Sequence, residues 1–491
     1  MTPPTTASPS AAVAWLGLAA FIPSLLACTD RSLSGPGLTP TVVVDTGRPP
    51  MVNRNVDLLF VIDDSSSMRL SQDNLTRNFP VLMNALESLP SGLPNVHIAV
   101  VSTDMGAGDG SIAGCDATGG KNGIFQYTAR GACTATGLDA GATYISNIGG
   151  VKNYTGNLSD TFACIAALGE QGCGFEQPLA ALERALGTNG QPPPDENAGF
   201  LRPDAYLVIV LIGNEDDCSA TGGSPLFDTT SSTTLDSALG PVANFRCNEF
   251  GHICDGAPPV RLAPNNDVNA SHAYSSCQPS DGGGLLLNVA ETAARIKAMK
   301  SDPAQVVVAA ITGPAAPYVV QWKTPSISDE PGPWPVIAHS CTATDGSFAD
   351  PSVRTTAFVN EFGSNGLVLP ICDADFAPAL HRIADKIIDR IGKPCIGGTV
   401  AKQPGTDRDD CTVVSTTPDG HGGFVQITLA PCASTGGAGP CWQFAPGEDG
   451  CSGQSVTVVP DAAVAVPAWQ SIRAQCAVCT PGVPDAARGC P

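Results

Sequence analysis

This 491-residue chain predicts an α/β fold: a doubly wound, mostly parallel sheet with long insertions and a small Cys-rich tail. Three observations carry that reading. Four short apolar runs rich in β-branched residues recur along the chain: "VDLLFVID" (56–63), "VHIAVVST" (96–103), "AYLVIVLI" (205–212) and "AQVVVAAIT" (304–312). Their hydrophobicity is continuous rather than alternating, as expected of strands covered on both faces. Amphipathic helical segments lie between them, and cysteines cluster in the stretches where this rhythm is interrupted.

In chain order, residues 1–27 carry no charged side chain and contain "AAVAWLGLAAFIPSLLA", an apolar core of signal-peptide length. The run ends in "LLAC", Leu25 to Cys28. A Leu at −3 and a small residue at −1 before Cys look like a bacterial lipobox, so Cys28 is the expected site of lipidation and a lipid anchor the expected link to a membrane. An ordinary secretory signal is the alternative, and the segment lacks the usual Lys or Arg at its start. Residues 28–52, including "SLSGPGLTPTVVVDTGRPP", are small, polar and Pro-containing, and read as a flexible tether.

The main domain is expected over 53–394. Its helices are predicted at 71–89 (broken at Pro80), 175–186, 285–300 and 374–391. In the last, Phe376, Leu380, Ile383, Ile387 and Ile388 form one stripe at helical spacing. A fifth apolar run, "GLVLPIC" (366–372), ends at a cysteine. Two connections, 104–172 and 213–284, are too long for plain loops, and their cysteines predict local disulfides that staple them into small subdomains. From 395 to 491 the βα rhythm is lost, eight cysteines appear, and the texture is that of a disulfide-dense β-rich appendage.

Composition bounds the function. The net charge of −21 argues against nucleic-acid binding, which needs a basic surface. Cations or basic partners are the natural counterparts. Of 19 cysteines, 18 remain once Cys28 is set aside, an even number that suits a disulfide framework in an oxidising compartment. Six scattered His residues have no metalloprotease spacing, and no nucleophile elbow or phosphate loop is present, so a non-enzymatic role is expected. "CAVC", Cys476 to Cys479, lies outside any strand-to-helix context and reads as structural cysteines rather than a redox or zinc motif.

The segment "LLFVIDDSSSM", Leu58 to Met68, drives a buried strand straight into carboxylates and hydroxyls. Asp63, Ser65 and Ser67 form an Asp-x-Ser-x-Ser turn after that strand and before a helix. This turn resembles the metal-ion-dependent adhesion site of von Willebrand factor type A domains, and the βα order over 55–392 fits that family's fold. Lipidated, Cys-rich versions resemble surface proteins of myxobacteria. The resemblance implies that Asp63, Ser65 and Ser67 are metal ligands for Mg²⁺ or Ca²⁺. One carboxylate and two hydroxyls would leave the ion under-neutralised and able to recruit a carboxylate from a protein or surface-polymer partner.

The family's remaining ligands are not where its pattern would put them. Its Thr is absent from "EQGCGFEQ", where Cys173 lies closest to that position and Glu176 is the nearest oxygen donor. Its second Asp is replaced in "VIVLIGNEDDCS" by Gly213 and Asn214, leaving Asn214 as a neutral ligand or Asp216 as a substitute if the turn is offset. Asp64 is expected to be solvated or a helix cap. Two readings therefore stand: a working divalent site, or a structural turn with its carboxylates satisfied by backbone N–H groups. The corresponding functions are an adhesion-type envelope lipoprotein of the outer membrane, periplasmic or surface-exposed, or a metal-free component of an envelope assembly.

Overall fold

The computed structural model describes Leu38–Thr39, residues 54–391 apart from 88–92, 109, 113, 116–118, 132, 231–232, 301 and 325–331, and residues 395–490 apart from 397–398, 419–423, 438, 447–453, 460–470 and 480–483. The expected leader, Cys28 and nearly all of the tether lie outside the described residues.

The apolar runs form the strands they predict. They are β1 (Asn55–Ile62), β2 (Asn95–Ser102), β5 (Tyr206–Ile212), β6 (Val306–Thr312) and β7 (Gly366–Pro370). Two further strands, β3 (Ile145–Ile148) and β4 (Val151–Lys152), come from the first insertion and form a hairpin on the edge of the sheet. The seven strands lie in the order β7-β6-β5-β1-β2-β3-β4. All pairings from β7 to β2 are parallel, and only the β3–β4 edge is antiparallel.

Helices cover both faces. These are α1 (Arg69–Glu87), α2 (Leu158–Ala166), α3 (Pro178–Leu186), α4 (Val289–Lys297), α5 (Val353–Asn360) and α6 (Ala377–Ile391). The alternation of β1 divides the core in two. Val56, Leu58, Phe60 and Ile62 pack with α1, α2 and α6, whereas Leu59 and Val61 pack with α3, α4 and α5. The α6 stripe behaves as predicted, with Phe376, Leu380, Ile383 and Ile387 buried and Ile388 packed at its rim.

Three expectations need correction. Helix α1 is continuous through Pro80 rather than broken there, because Leu75, Phe79, Leu82, Met83 and Leu86 on either side are all buried against the same core. That burial outweighs one lost backbone hydrogen bond. The first insertion is not a separate subdomain throughout: β3 extends the main sheet, and Phe162 of α2 stacks on Phe79 at 3.6 Å. Nor is it stapled only to itself. Cys133 pairs with Cys164, but Cys115 reaches Cys173, just beyond the insertion.

The second insertion is closed by Cys218–Cys247 and Cys254–Cys277, as expected. It also lends Ser271–Tyr274 to a three-stranded sheet with Tyr318–Lys323 and Trp334–Ile337, around buried Tyr318, Val320 and Trp322. Cys341–Cys372 ties the fifth apolar run to the loop before α5. The carboxyl-terminal region is a β-sheet over a small core of Val413, Leu429, Trp442 and Val456. Cys476 and Cys479 bond to Cys411 and Cys490 respectively, so the "CAVC" cysteines are structural and not paired with each other.

Candidate functional site

The chain leaves β1 for β2 on one side and later returns to pair β5 on the other side of β1. Winding reverses at β1, and in such sheets the crevice at the carboxyl ends of the strands beside the reversal is where ligands sit. Asp63 follows β1, Thr103 follows β2, Gly213 to Asp217 follow β5, and Thr312 closes β6. Each apolar run thus ends on a polar residue at one edge of the sheet.

The Asp63 turn forms as its sequence requires. Asp63 Oδ1 accepts the Ser65 backbone N–H at 2.8 Å, and the Asp63 carbonyl accepts Gln72 Nε2 at 3.0 Å from the first turns of α1. Ser65 Oγ and Ser67 Oγ are 3.1 Å apart, and Ser67 Oγ donates to Asn214 Oδ1 at 3.2 Å. Asp63, Ser65, Ser67 and Asn214 are therefore brought together. Asn214 is fixed by donating Nδ2–H to the Phe348 carbonyl at 3.1 Å.

Glu176 joins them from the loop before α3. It lines one cleft with Asp63, Thr103, Glu215 and Thr312, walled by Pro178 and Leu211. Glu176 Oε2 accepts Thr103 Oγ1–H, while Glu176 Oε1 and Asp63 Oδ2 are buried with no hydrogen-bond partner. Burial pushes the Asp63 carboxyl up to about 6, and the adjoining Asp64 charge adds to this against hydrogen bonds from Ser65 and from the Glu176 carboxyl, which lies within reach when it holds its proton. Glu176 is raised well above the usual carboxylate range by burial and by the charges of Asp63 and Glu215. Glu215 is raised likewise by burial and by Asp350 and Asp63, and it accepts Asn244 Nδ2–H of the second insertion at 2.8 Å. Glu215 belongs to the acidic turn that the sequence brings to the site, whereas nothing in the motif points to Thr103 or Thr312. The available signal was that each stands at or next to the end of an apolar run.

Asp216 is not in this group. Its Oδ2 accepts the backbone N–H groups of Val353 and Arg354 at 2.8 Å, and its Oδ1 accepts that of Thr355 at 3.0 Å. It caps α5 and also takes His252 Nε2 at 2.8 Å. Burial alone would raise this carboxyl, but His252 and the α5 amides outweigh it and hold it at about 2. With its lone pairs committed, Asp216 does not substitute for the missing family Asp. Asp217 pairs with the buried Arg354 at 2.9 Å and accepts the Leu179 N–H at the start of α3. Cys173 is closed in its disulfide.

Asp64 differs from the expectation of a solvated or capping residue. It is buried, accepts Ser102 Oγ–H at 2.7 Å and is paired with Lys121 of the first insertion. Its carbonyl accepts the Gly172 N–H at 2.8 Å.

A hard divalent cation fits these residues. The donors are oxygens, Asp63 Oδ2 and Glu176 Oε1 are buried and unpartnered, and the Ser65 and Ser67 hydroxyls adjoin. Among the described residues, no three His, Cys, Asp or Glu side chains converge as a metal-holding group.

No family model and no curated protein matches the sequence. Solved structures similar to it include a von Willebrand factor type A protein from Catenulispora acidiphila, 11% identical over 87% of this chain and 59% of that one, TM-score 0.25. Others are the conserved hypothetical protein BatB from Bacteroides thetaiotaomicron (9% identical, 68% of this chain and 98% of that one, TM-score 0.25) and the pilus adhesin from Streptococcus pneumoniae (10%, 91% and 58%, TM-score 0.25). The chain thus spans 59% of the length of the first of them. At such distances the likeness carries no weight of its own, and the architecture rests on strand order. That order, with an Asp-x-Ser-x-Ser turn at the end of the central strand, makes residues 54–391 a doubly wound α/β domain with its candidate site at the strand ends.

Proposed function

We propose that this is a cell-envelope lipoprotein, exported and anchored through Cys28, whose von Willebrand factor A-like domain binds a protein or surface polymer as an adhesin does. In this reading Mg²⁺ or Ca²⁺ is held by Asp63, Ser65 and Ser67, with Asn214 and Glu176 beside them. The observation that carries it is the Asp63 turn at the carboxyl edge of the sheet, where Oδ1 of a buried carboxyl accepts the Ser65 N–H and the Ser65 and Ser67 hydroxyls lie 3.1 Å apart. Eight disulfides among the described residues support an oxidising, extracytoplasmic setting. When bound, the cation would supply a positive centre for a partner's carboxylate.

Retention of intact cells by the immobilised protein tests this. Retention should fall with chelator, return with added Mg²⁺ or Ca²⁺, and be lost in Asp63→Ala. Retention indifferent to both changes overturns the cation-dependent reading.

A second reading, a metal-free assembly component, is favoured by Asn214 in place of an Asp and by the commitment of Asp216 to α5. It predicts that deleting residues 219–280 abolishes retention while Asp63→Ala leaves it intact.

A further inference from the structure

Three residues lining the strand-end cleft each carry a buried side-chain oxygen with no hydrogen-bond partner among the described residues: Asp63 Oδ2, Glu176 Oε1 and Thr312 Oγ1. These residues are 1%, 3% and 2% exposed. They arrive from separate elements, the ends of β1 and β6 and the loop before α3, so local turn geometry does not explain their meeting. A buried polar atom left unsatisfied costs about 1–3 kcal/mol, and three facing one space mark the place of something absent from the bare chain.

Charge decides what that is. Among the described residues the nearby cations are committed elsewhere, Lys121 to Asp64 and Asp104 and Arg354 to Asp217, and the His252 ring is hydrogen-bonded to Asp216. Neither Asp63 nor Glu176 has an ion-pair partner, and Glu215 adds a further carboxylate to the lining. A water molecule could satisfy the hydrogen bonds but would bring no positive charge to two buried carboxyl groups that face no cationic side chain among the described residues.

The cleft is also distinct from the outer side of the Asp63 turn. Asp63 Oδ1 serves the turn through the Ser65 N–H, and the Ser67 hydroxyl is engaged with Asn214. Asp63 Oδ2 points the other way, toward Gly213, where a Cβ would lie 3.4 Å from it. The absence of a side chain at Gly213 keeps that side of the carboxylate open.

We infer that the cation seat lies inside this cleft, with Asp63 and Glu176 as carboxylate ligands and Thr312 as a hydroxyl ligand, and that it selects Ca²⁺ over Mg²⁺. Thr103 positions Glu176 by donating to Oε2. This deepens the proposed function and rests on it in placing a hard cation at the strand ends. It differs in making Glu176 and Thr312, rather than Ser65 and Ser67, the residues on which affinity depends. Selection for Ca²⁺ follows from the donor set, because two carboxylates and hydroxyls on separate, independently held elements suit a larger ion of adaptable coordination better than a strict octahedron.

Calorimetric titration of the chelator-stripped, disulfide-bonded protein with CaCl₂ and with MgCl₂ tests it, alongside the thermal midpoint in each salt. The wild type should bind one Ca²⁺ at least tenfold more tightly than Mg²⁺ and melt higher in Ca²⁺. Glu176→Gln and Thr312→Val should each weaken Ca²⁺ binding at least tenfold, while Ser67→Ala changes it less than threefold. Thr312→Ser, which keeps the hydroxyl, should restore binding and separate a lost ligand from a folding defect. Loss in Ser67→Ala with wild-type binding in Glu176→Gln and Thr312→Val overturns the inference and leaves the turn site of the proposed function standing. Tighter Mg²⁺ than Ca²⁺ overturns the selectivity. No binding of either ion by the wild type overturns both and favours the metal-free reading.

Discussion

Asn214 and Asp216 stand two residues apart in one turn and face different ways, one onto Ser67 and the other onto the amino terminus of α5. The Asp216 carboxyl is held at about 2 when folded, against about 3.9 in an unfolded chain. A depressed carboxyl stabilises the fold above the unfolded value and loses that contribution as pH falls through the folded one. The effect is about 2–3 kcal/mol, lost between roughly pH 4 and pH 2. Asp216→Asn should therefore be less stable at neutral pH by about that amount and show a flatter acid-unfolding profile by circular dichroism. An unchanged acid limb would refute the assignment. Asp64 and Lys121 give a second case, since Lys121→Met would leave a fully buried carboxylate unpaired. The variant should lose about 2–3 kcal/mol, given that Lys121 is partly exposed, and Lys121→Met with Asp64→Asn should lose less than the single change. Denaturant melts of the three variants decide it. The sequence made Asp63, Ser65 and Ser67 legible because turn and strand end are local. It could not place Asp216, whose partners are 137–139 residues away on a helix with no clear apolar period, or Asp64, whose cation lies 57 residues on.

Among the elements, continuity of hydrophobic runs was the dependable signal. Strands β1, β2, β5 and β6 match their apolar segments because both faces are buried, leaving only paired polar residues such as Asp57 and His97 within them, and β7 matches its own as a half-buried edge strand. Short edge strands β3 and β4 carry no such signal: Val151 is 76% exposed, and the pair is held by its register with β2 and by the single buried Ile145. Pro80 shows local propensity giving way to packing. Its missing N–H and its ring still cost the helix, so Pro80→Ala should raise stability by about 1–3 kcal/mol, read as a higher thermal midpoint. A lower midpoint would mean that the helix depends on the proline. The converse experiment removes the packing. Phe162 of α2 lies 4.8 Å from Phe60 and 3.6 Å from Phe79 between ring centroids and is fully buried. Phe162→Ala should cost about 3–5 kcal/mol.

Across the whole molecule the two insertions are stapled alike and anchored differently. Cys133–Cys164, Cys218–Cys247 and Cys254–Cys277 close loops of 31, 29 and 23 residues. Loop-closure entropy assigns each about 3–4 kcal/mol, so the disulfides do not distinguish the insertions. Packing does. The first insertion gives Ile145, Phe162 and Ile165 to the main core, an apolar anchor separate from its disulfide. The second, among its described residues, contributes nothing to the main core; it packs in two small clusters, one shared with Ala107, Cys115 and Phe175 and one with Tyr318 and Trp322, and meets the strand ends largely through polar contacts: His252 to Asp216, Asn244 to Glu215, and Arg354 to the Ser280 carbonyl. Those contacts weaken once water reaches them, whereas the apolar anchor of the first insertion does not. Mild reduction followed by limited proteolysis should therefore cut within 219–280 first, within 104–172 later, and within β1, β5 and β6 last. Mass spectrometry of the fragments over time reads the order directly. Simultaneous cleavage of the two insertions would mean that the disulfides, and not the shared core, set the hierarchy. Early loss of 219–280 would also open one wall of the strand-end cleft, because Asn244 is the hydrogen-bond partner that holds Glu215 there.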